Sequence, residues 1–521
     1  MGPAVIRGGL LGTFAGFVIS AGNAVVGVLL ANLLIPEDMG LFRWAAALGA
    51  VGAQAASFGL EEILARELIM LKEAGREAER TALVHKILRL RILLSAAVFG
   101  ALFGLVVPLL YATSTFAPRG AAGLIAAVLI GLGSMFWVNF VLVTAVLDSD
   151  FRISQARVLA IVQFAVTSSL RLLLAYLYGL GGLAVGVFAG GLVTVAVAEL
   201  VLYTSMVRGK PVLPIAPGLL RRLLGDSAWR AVVVVEYAVI TGIDIVLLAV
   251  LFPDAVVGQY AVAKIVVAVF AGVAAPLGTA LYPHVLRRLT IDRTSPAVGE
   301  SMGLTGSGAV FVLGGCFLAA PPFIILALPD YVASIPWALL MAPTVLFTFG
   351  FYYPLAAVIT IERRFRLQIV VYAVALSALA AWTWIGSLIL GPAAAALGQG
   401  FVFLAIHGAL LAMLLSGGVL RQAGREIARS GAAVLVSGAA VFGVTTILTA
   451  GPLAVLILSL VVYPVLFVTI YGRALSGLCG RNFELASRAL AELGLSARRA
   501  DSLLRVFGGR PDPKVAPQRP A

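Results

Sequence analysis

Leu33-Leu34-Ile35-Pro36-Glu37-Asp38-Met39-Gly40-Leu41-Phe42 reads as the end of one apolar helix, a short acidic turn and the start of the next. The run before it, 8–34, and the run after it, 41–60, are each long enough to cross a hydrocarbon core, for which roughly 20 apolar residues suffice. Twelve more such runs follow, near 87–112, 120–147, 158–178, 182–206, 231–251, 256–282, 305–328, 335–361, 368–390, 393–416, 431–449 and 452–472. The sequence therefore predicts an all-α polytopic membrane protein with fourteen spans. The first run follows a lone Arg7, far exceeds a signal-peptide core and has no polar cleavage region behind it, so it reads as a retained helix. With 61% hydrophobic and 12% charged residues, against about half and a quarter in soluble domains, the composition excludes a cytosolic enzyme, a coiled coil and disorder. Two cysteines, Cys316 and Cys479, cannot make a disulfide framework.

Charge gives the spans their sides. Of the 37 Lys and Arg residues, 33 fall on one side: Arg7, seven from Arg66 to Arg91, Arg152 and Arg157, five from Arg208 to Arg230, Arg287, Arg288 and Arg293, Arg363, Arg364 and Arg366, Arg421, Arg425 and Arg429, and nine from Arg473 to Arg519. The opposite turns hold Arg119 alone, beside acids such as Glu37, Asp38, Asp254 and Asp330. By the positive-inside rule both termini are cytoplasmic, in a multi-pass protein of the plasma (inner) membrane. The net charge of +13 then belongs to anchors beside anionic lipid, and nucleic acid is not a partner.

The opening stretch has an echo 218 residues later. Leu29-Leu30-Ala31-Asn32-Leu33 leads to Gly40-Leu41-Phe42 as Leu247-Leu248-Ala249-Val250-Leu251 leads to Gly258-Gln259-Tyr260. A weaker echo pairs Gly181, Ala184 and Gly190 with Gly391, Ala394 and Gly400. Chance matches in an Ala-, Gly- and Leu-rich chain remain the alternative. A true repeat separated by six spans keeps its orientation, which gives two parallel six-helix lobes about an axis along the membrane normal, with a path between them. The expected division is 1–210 for spans 1 to 6, 211–420 for spans 7 to 12, 421–472 for two additional helices, and 473–521 for a cytoplasmic tail. In that tail Phe483, Leu485, Leu490, Leu493 and Leu495 suggest amphipathic helices on the membrane surface, followed by a disordered Pro-rich end. Gly8, Gly12 and Gly16 read as helix packing. Pro276, Pro322, Pro343, Pro354 and Pro464 are expected to bend or break their spans.

These motifs resemble the polysaccharide transporter family, the Wzx-type flippases of lipid-linked oligosaccharides within the multidrug/oligosaccharidyl-lipid/polysaccharide exporter superfamily. The resemblance rests on residues 33–42 followed by Gly59-Leu60 and Arg66, on Asp244 with Gly258-Gln259-Tyr260-Ala261, and on Pro329-Asp330-Tyr331. It extends over spans 1 to 12 by number, charge pattern and turns. Glu61 and Glu62 depart from the family's usual neutrality there, and the tail after Arg473 is long. The resemblance implies a MATE-like, two-lobed bundle of alternating access that carries an undecaprenyl-diphosphate-linked glycan to the outer leaflet for surface polysaccharide synthesis.

Three cations lie inside spans: Arg43, Arg171 and Lys264. A charge at the bilayer centre costs on the order of 2.5–3.5 kcal/mol even on lenient scales, so such groups face a partner or a wet cavity. Asp244 falls about 20 Å from the inner end of span 7 and Lys264 about 12 Å from the outer end of span 8. Those depths nearly coincide, and a structural ion pair competes evenly with a role in substrate or proton binding. Arg43 can snorkel to the interface. Arg171 is deeper, and with Lys264 it can give the cavity a cationic lining for a diphosphate. Glu199 and Glu236 read as interfacial acids or as titratable gates. Asn23, Asn32, Gln54, Asn139, Gln163 and Gln399 can bond sugars or neighbouring helices. We therefore expect substrate contacts at Arg171, Lys264, Arg43 and Asn139, and coupling or gating at Asp244, Glu236 and Glu199.

Enzyme chemistry is not expected. His85, His284 and His407 are dispersed, there is no metal-ligand spacing and no phosphate-cradling glycine loop, and the outer loops are short. No cofactor is implied. The expected partners are the lipid-linked glycan and membrane lipids, with a polysaccharide polymerase or glycosyltransferases as candidates at the tail. Two alternatives stay within the superfamily. A drug or organic-cation antiporter would want an acidic, aromatic-lined cavity, and a peptidoglycan-precursor flippase would share the anionic lipid.

Overall fold

A computed structural model of the chain describes residues 3–204, 218–291, 297–362, 364–415 and 417–475, apart from 151. Every regular element among them is helical. The acidic turn at the centre of the sequence reading separates α1 (Pro3–Leu33) from α2 (Pro36–Ser57). Pro36 opens α2 because its missing N–H would find no partner in the first turn, and Glu37 and Asp38 sit where the helix dipole favours negative charge. Phe58 and Gly59 then take left-handed conformations, φ +50° and +62°, and stop the helix.

After that break comes α3 (Leu60–Glu73), a helix absent from the sequence expectation. Its Leu60, Leu64, Leu68 and Leu71 recur at helical spacing and are buried, each contributing roughly 1.5–3 kcal/mol. The polar remainder of α3 defeats a search for long apolar runs. The next spans are α4 (Glu77–Thr113), α5 (Gly120–Ser149) and the 50-residue α6 (Ile153–Leu202). Tyr178 and Gly179 leave the helical region and divide α6 into two arms. These arms fold back on each other through glycines: a Cβ at Gly182 would lie 1.9 Å from the Leu174 carbonyl oxygen, and one at Gly186 2.7 Å from that of Leu170.

The second half comprises α7 (Leu219–Leu251), α8 (Asp254–Ile291), α9 (Ala297–Ala327), α10 (335–362), α11 (Phe365–Leu390), α12 (Pro392–Leu414), α13 (Gly417–Ile447) and α14 (452–475). Ten of the described helices are long and apolar enough to cross a membrane. Dividing α6 at its break and adding α1, α2 and the distorted α10 brings the helical segments to the fourteen that the apolar runs predict.

Proline explains where helices distort. Leu102–Val106, Leu346–Phe351 and Leu458–Val462 wind as π-helix. Pro108, Pro354 and Pro464 follow them, and each ring displaces the carbonyl four residues back, at Gly104, Gly350 and Leu460. The Thr305 hydroxyl of α9 donates to the freed Gly350 carbonyl. Pro343 likewise follows a tightened turn in α10, where Ala342 keeps helical dihedrals but donates three residues back to the Leu339 carbonyl (3.3 Å). By contrast α8 runs on through Pro276 and α9 through Pro321 and Pro322, so the expected breaks there do not occur. The α9 pair lies within two turns of the C-terminal end, so any distortion at the carbonyls of Phe317 and Leu318 redirects only the last turns.

At the centre, α2 runs between α7 and α8, and α1 runs along α8. A Cβ at Gly242 of α7 would lie 3.1 Å from the Ala47 side chain, and one at Gly27 of α1 3.0 Å from Ile265. The outer pair α13 and α14 packs on α9, where Tyr463 donates to the Phe311 carbonyl (2.7 Å) and stacks on its ring.

The basic end is held by buried ion pairs. Asp150 accepts from Lys72 (2.8 Å), Arg80 (2.9 Å) and Arg152 (2.8 Å). Burial pushes its carboxyl up, but the hydrogen bonds and charges of Lys72 and Arg80 outweigh that and hold it below the usual carboxylate range. Arg91 is fully buried and donates to the Ala56 carbonyl (2.7 Å) and to Glu61, so that the extra acid in the sequence pins the break after α2. The tail expected over 473–521 lies almost wholly outside the described residues.

Candidate functional site

The site follows from how α2 and α8 cross. A Cβ at Gly40 would meet the Asp254 carbonyl oxygen at 2.7 Å, and one at Gly258 would meet that of Pro36 at 1.7 Å. Only residues without side chains allow this approach. The contact is reciprocal: 36 and 254, and 40 and 258, are the positions that the 218-residue echo equates. The crossing sits at the acidic end and brings the next turns of α2 and α8, with Arg43 and Lys264, into one neighbourhood.

Lys264 does not stand alone. Its Nζ donates to both carboxylate oxygens of Asp244 (2.9 and 2.8 Å) and to the Thr241 carbonyl (2.6 Å). Tyr260 donates its hydroxyl to Asp244 Oδ2 at 2.5 Å. Asp244 is fully buried, while the Lys264 side chain keeps 21% of its surface. The adjacent-helix pair that the two depths suggested is thus formed, with a tyrosine as third member. A carboxylate so enclosed needs all its acceptors filled, and Lys264 and Tyr260 fill them.

Arg43 is near enough for its charge to act on Lys264. Among the described residues it has neither a hydrogen bond nor an ion pair. Arg171, on the first arm of α6, has none either, and its Nε is buried without a partner. No described interaction joins Arg171 to the Asp244 group; its backbone is held against Gly186 of the second arm. Of the three cations expected inside spans, Arg43 and Arg171 are therefore the two without a counter-ion among the described residues.

The remaining expected residues lie apart. Asn139 on α5 is buried and donates to the Met135 carbonyl of its own helix (3.1 Å). Glu199 is half-buried on the second arm of α6. Glu236 on α7 has a buried Oε2 without a partner and acts electrostatically on Tyr372. Its neighbour Tyr237 packs on Tyr352 and Phe403, and His407 lies against the same two rings with its Nδ1 2.7 Å from the Phe403 carbonyl. Tyr352, Gln368, Tyr372 and His407 line a small cavity. The sequence reading passed over this nest, because it weighed His407 only against metal-ligand spacing. The usable signal was a histidine and a tyrosine-flanked acid inside spans.

A second group missed from sequence lies at the acidic end. Arg119, the lone basic residue there, donates from Nη1 to Asp38 (2.5 Å) and from Nη2 and Nε to Asp254 (3.0 and 3.3 Å).

No family model matches the sequence, and no curated protein matches it. The fold is similar to that of the lipid II flippase MurJ in an inward closed conformation, at TM-score 0.57 and 12% identity, covering 84% of this chain and 97% of that one. It is also similar to an inward-facing multidrug resistance MATE family transporter of the MOP superfamily, at TM-score 0.50 and 14% identity, covering 82% and 99%. The chain is a multi-pass membrane protein with a MurJ- and MATE-like fold, and these structural neighbours are transporters.

Proposed function

We propose that the protein is a flippase that carries a polyprenyl-diphosphate-linked oligosaccharide from the cytoplasmic to the outer leaflet of the plasma membrane. The observation that carries this reading is that Arg43 and Arg171 are cations within the spans and have no counter-ion among the described residues. Carrying a bare guanidinium in a bilayer is costly unless an anion arrives to share it, and its planar fork suits a diphosphate. Lys264 adds to the site once Asp244 shares its charge. The halves 1–210 and 211–420 act as rocking lobes, the glycan travels in the hydrated gap and the polyprenyl tail stays in lipid, so that neither part of the amphiphile is stranded. Glu236, Glu199 and Asp244 serve coupling or gating, Asn139 contributes a sugar contact, and the basic tail lies on the inner surface, where a polymerase or glycosyltransferase can meet it.

Likeness to a lipid II flippase supports a second reading, the peptidoglycan precursor as passenger. A cation antiporter fits less well, since the uncompensated charges are positive. Deleting the gene and identifying the lipid-linked intermediate that accumulates on the inner leaflet decides among them: an oligosaccharide lipid supports the first reading, a peptidoglycan precursor the second. Replacing Arg43 or Arg171 by Ala is expected to lower surface glycan about tenfold at normal protein abundance, the effect of losing one charge-assisted hydrogen bond of at least about 1.5 kcal/mol. Unchanged glycan in both variants removes them from the mechanism.

A further inference from the structure

We propose that Arg119 is the bolt of a gate at the acidic end, anchored on Asp38 in the first half and closing on Asp254 of the second. This rests on the two-lobe, alternating-access reading above. Arg119 caps the start of α5, while Asp38 and Asp254 occupy the first turns of α2 and α8, the helices that cross at Gly40 and Gly258. All three side chains are about three-quarters buried, at 23%, 23% and 27% exposure. Backbone contact between glycines is short-ranged and carries no charge, so it cannot draw separated helices together. An ion pair acts over a longer distance, and a guanidinium that holds Asp254 Oδ2 through two nitrogens and Asp38 through a third also restricts the angle at which the halves meet. At the basic end Arg222 pairs with Glu67 across the halves, but its side chain is 59% exposed and held by a single contact of 2.8 Å. Enclosure and two acid partners point to a device that holds the acidic end shut.

The experiment reads distance without any passenger. Spin labels are placed at Thr113→Cys and Val332→Cys, exposed positions near the acidic end in the first and second halves, in a Cys316→Ala, Cys479→Ala background in lipid bilayers. Arg119→Gln is expected to add a population longer by about 5 Å or more, the scale of one helical turn. Arg222→Gln is expected to leave the distribution as in the parent. Combining Arg119→Glu with Asp254→Arg places the cation on α8 between two acids and is expected to restore the single short population. A parental distribution in Arg119→Gln, a shift that the exchange does not reverse, or an equal shift in Arg222→Gln overturns the assignment. Parental distances together with lost glycan export sink the bolt alone, and altered distances in a strain whose glycan never depended on the protein sink the flippase reading alone.

Discussion

The two ends of the bundle join the halves in different ways. At the acidic end main chain lies directly against main chain at two places, Gly40 and Gly258 against Asp254 and Pro36 and the Thr115 N–H donating to the Ala249 carbonyl (2.8 Å), and the Asn32 amide and Tyr331 hydroxyl add side-chain bonds to the Ala327 and Leu34 carbonyls (2.8 Å each). At the basic end long side chains enter the joint: Arg222 reaches Glu67, and Gly59 lies against the Arg230 methylenes as well as the Ala231 main-chain nitrogen. Rigid backbones have no rotamers to absorb a displacement, so the acidic seam is either made or lost. Side chains can stretch and repack, and the basic end can give by degrees.

Placing a methyl group in the seam is the harshest test of that contrast. Gly258→Ala puts a Cβ 1.7 Å from a backbone oxygen, and we expect a loss of about 3 kcal/mol, the upper part of the overpacking range, read as a lowered unfolding midpoint. Gly242→Ala on α7 meets only the Ala47 side chain at 3.1 Å and is expected to cost under about 1 kcal/mol. Equal midpoints for the two variants would refute the claim that the acidic seam is tight.

Acid titration probes the opposite end. The Asp150 carboxyl is held below the usual range, so its pairing stabilises the fold fully above about pH 4, the ordinary value, and that contribution fades as pH falls through the lowered one. Asp150→Asn should be less stable than the parent at neutral pH and should show a shallower decline below pH 4; parallel acid limbs would contradict it. The smallest effect belongs to Arg222→Gln. Its exposed pair is expected to change stability by no more than about 0.5 kcal/mol, and a loss above 1 kcal/mol would make the basic end more rigid than we describe.

Bilayer thickness is why the span count was legible, since it fixes how long an apolar run must be whatever packs beside it. The glycines of the crossing were legible as an echo, because close helix approach at two equivalent places demands the same small residue twice. Partners of charges were harder to read. Depth along two adjacent helices suggested Asp244 with Lys264, but no local signal ties Arg119 to Asp254, 135 residues away, or Arg91 to Glu61. The fate of prolines also depends on neighbours: Gly350 can lose its helical partner because Thr305 offers a hydroxyl from another helix. For Arg43 depth alone left snorkelling and a substrate contact equally open, and only the crossing of α2 with α8 sets it beside Lys264. The cavity beside His407 draws its walls from α10, α11 and α12 and left no trace in spacing.

The crossing at Gly40 and Gly258 has the form of an isologous interface: each half presents to the other the patch it receives, as subunits do in a symmetric dimer. Such a patch sits at its own rotation axis, so an insertion or deletion that shifts one helix by a single residue misaligns both sides of the contact together. Compensation must then come in matched pairs of changes 218 positions apart, and the joint behaves thermodynamically as one unit encoded twice.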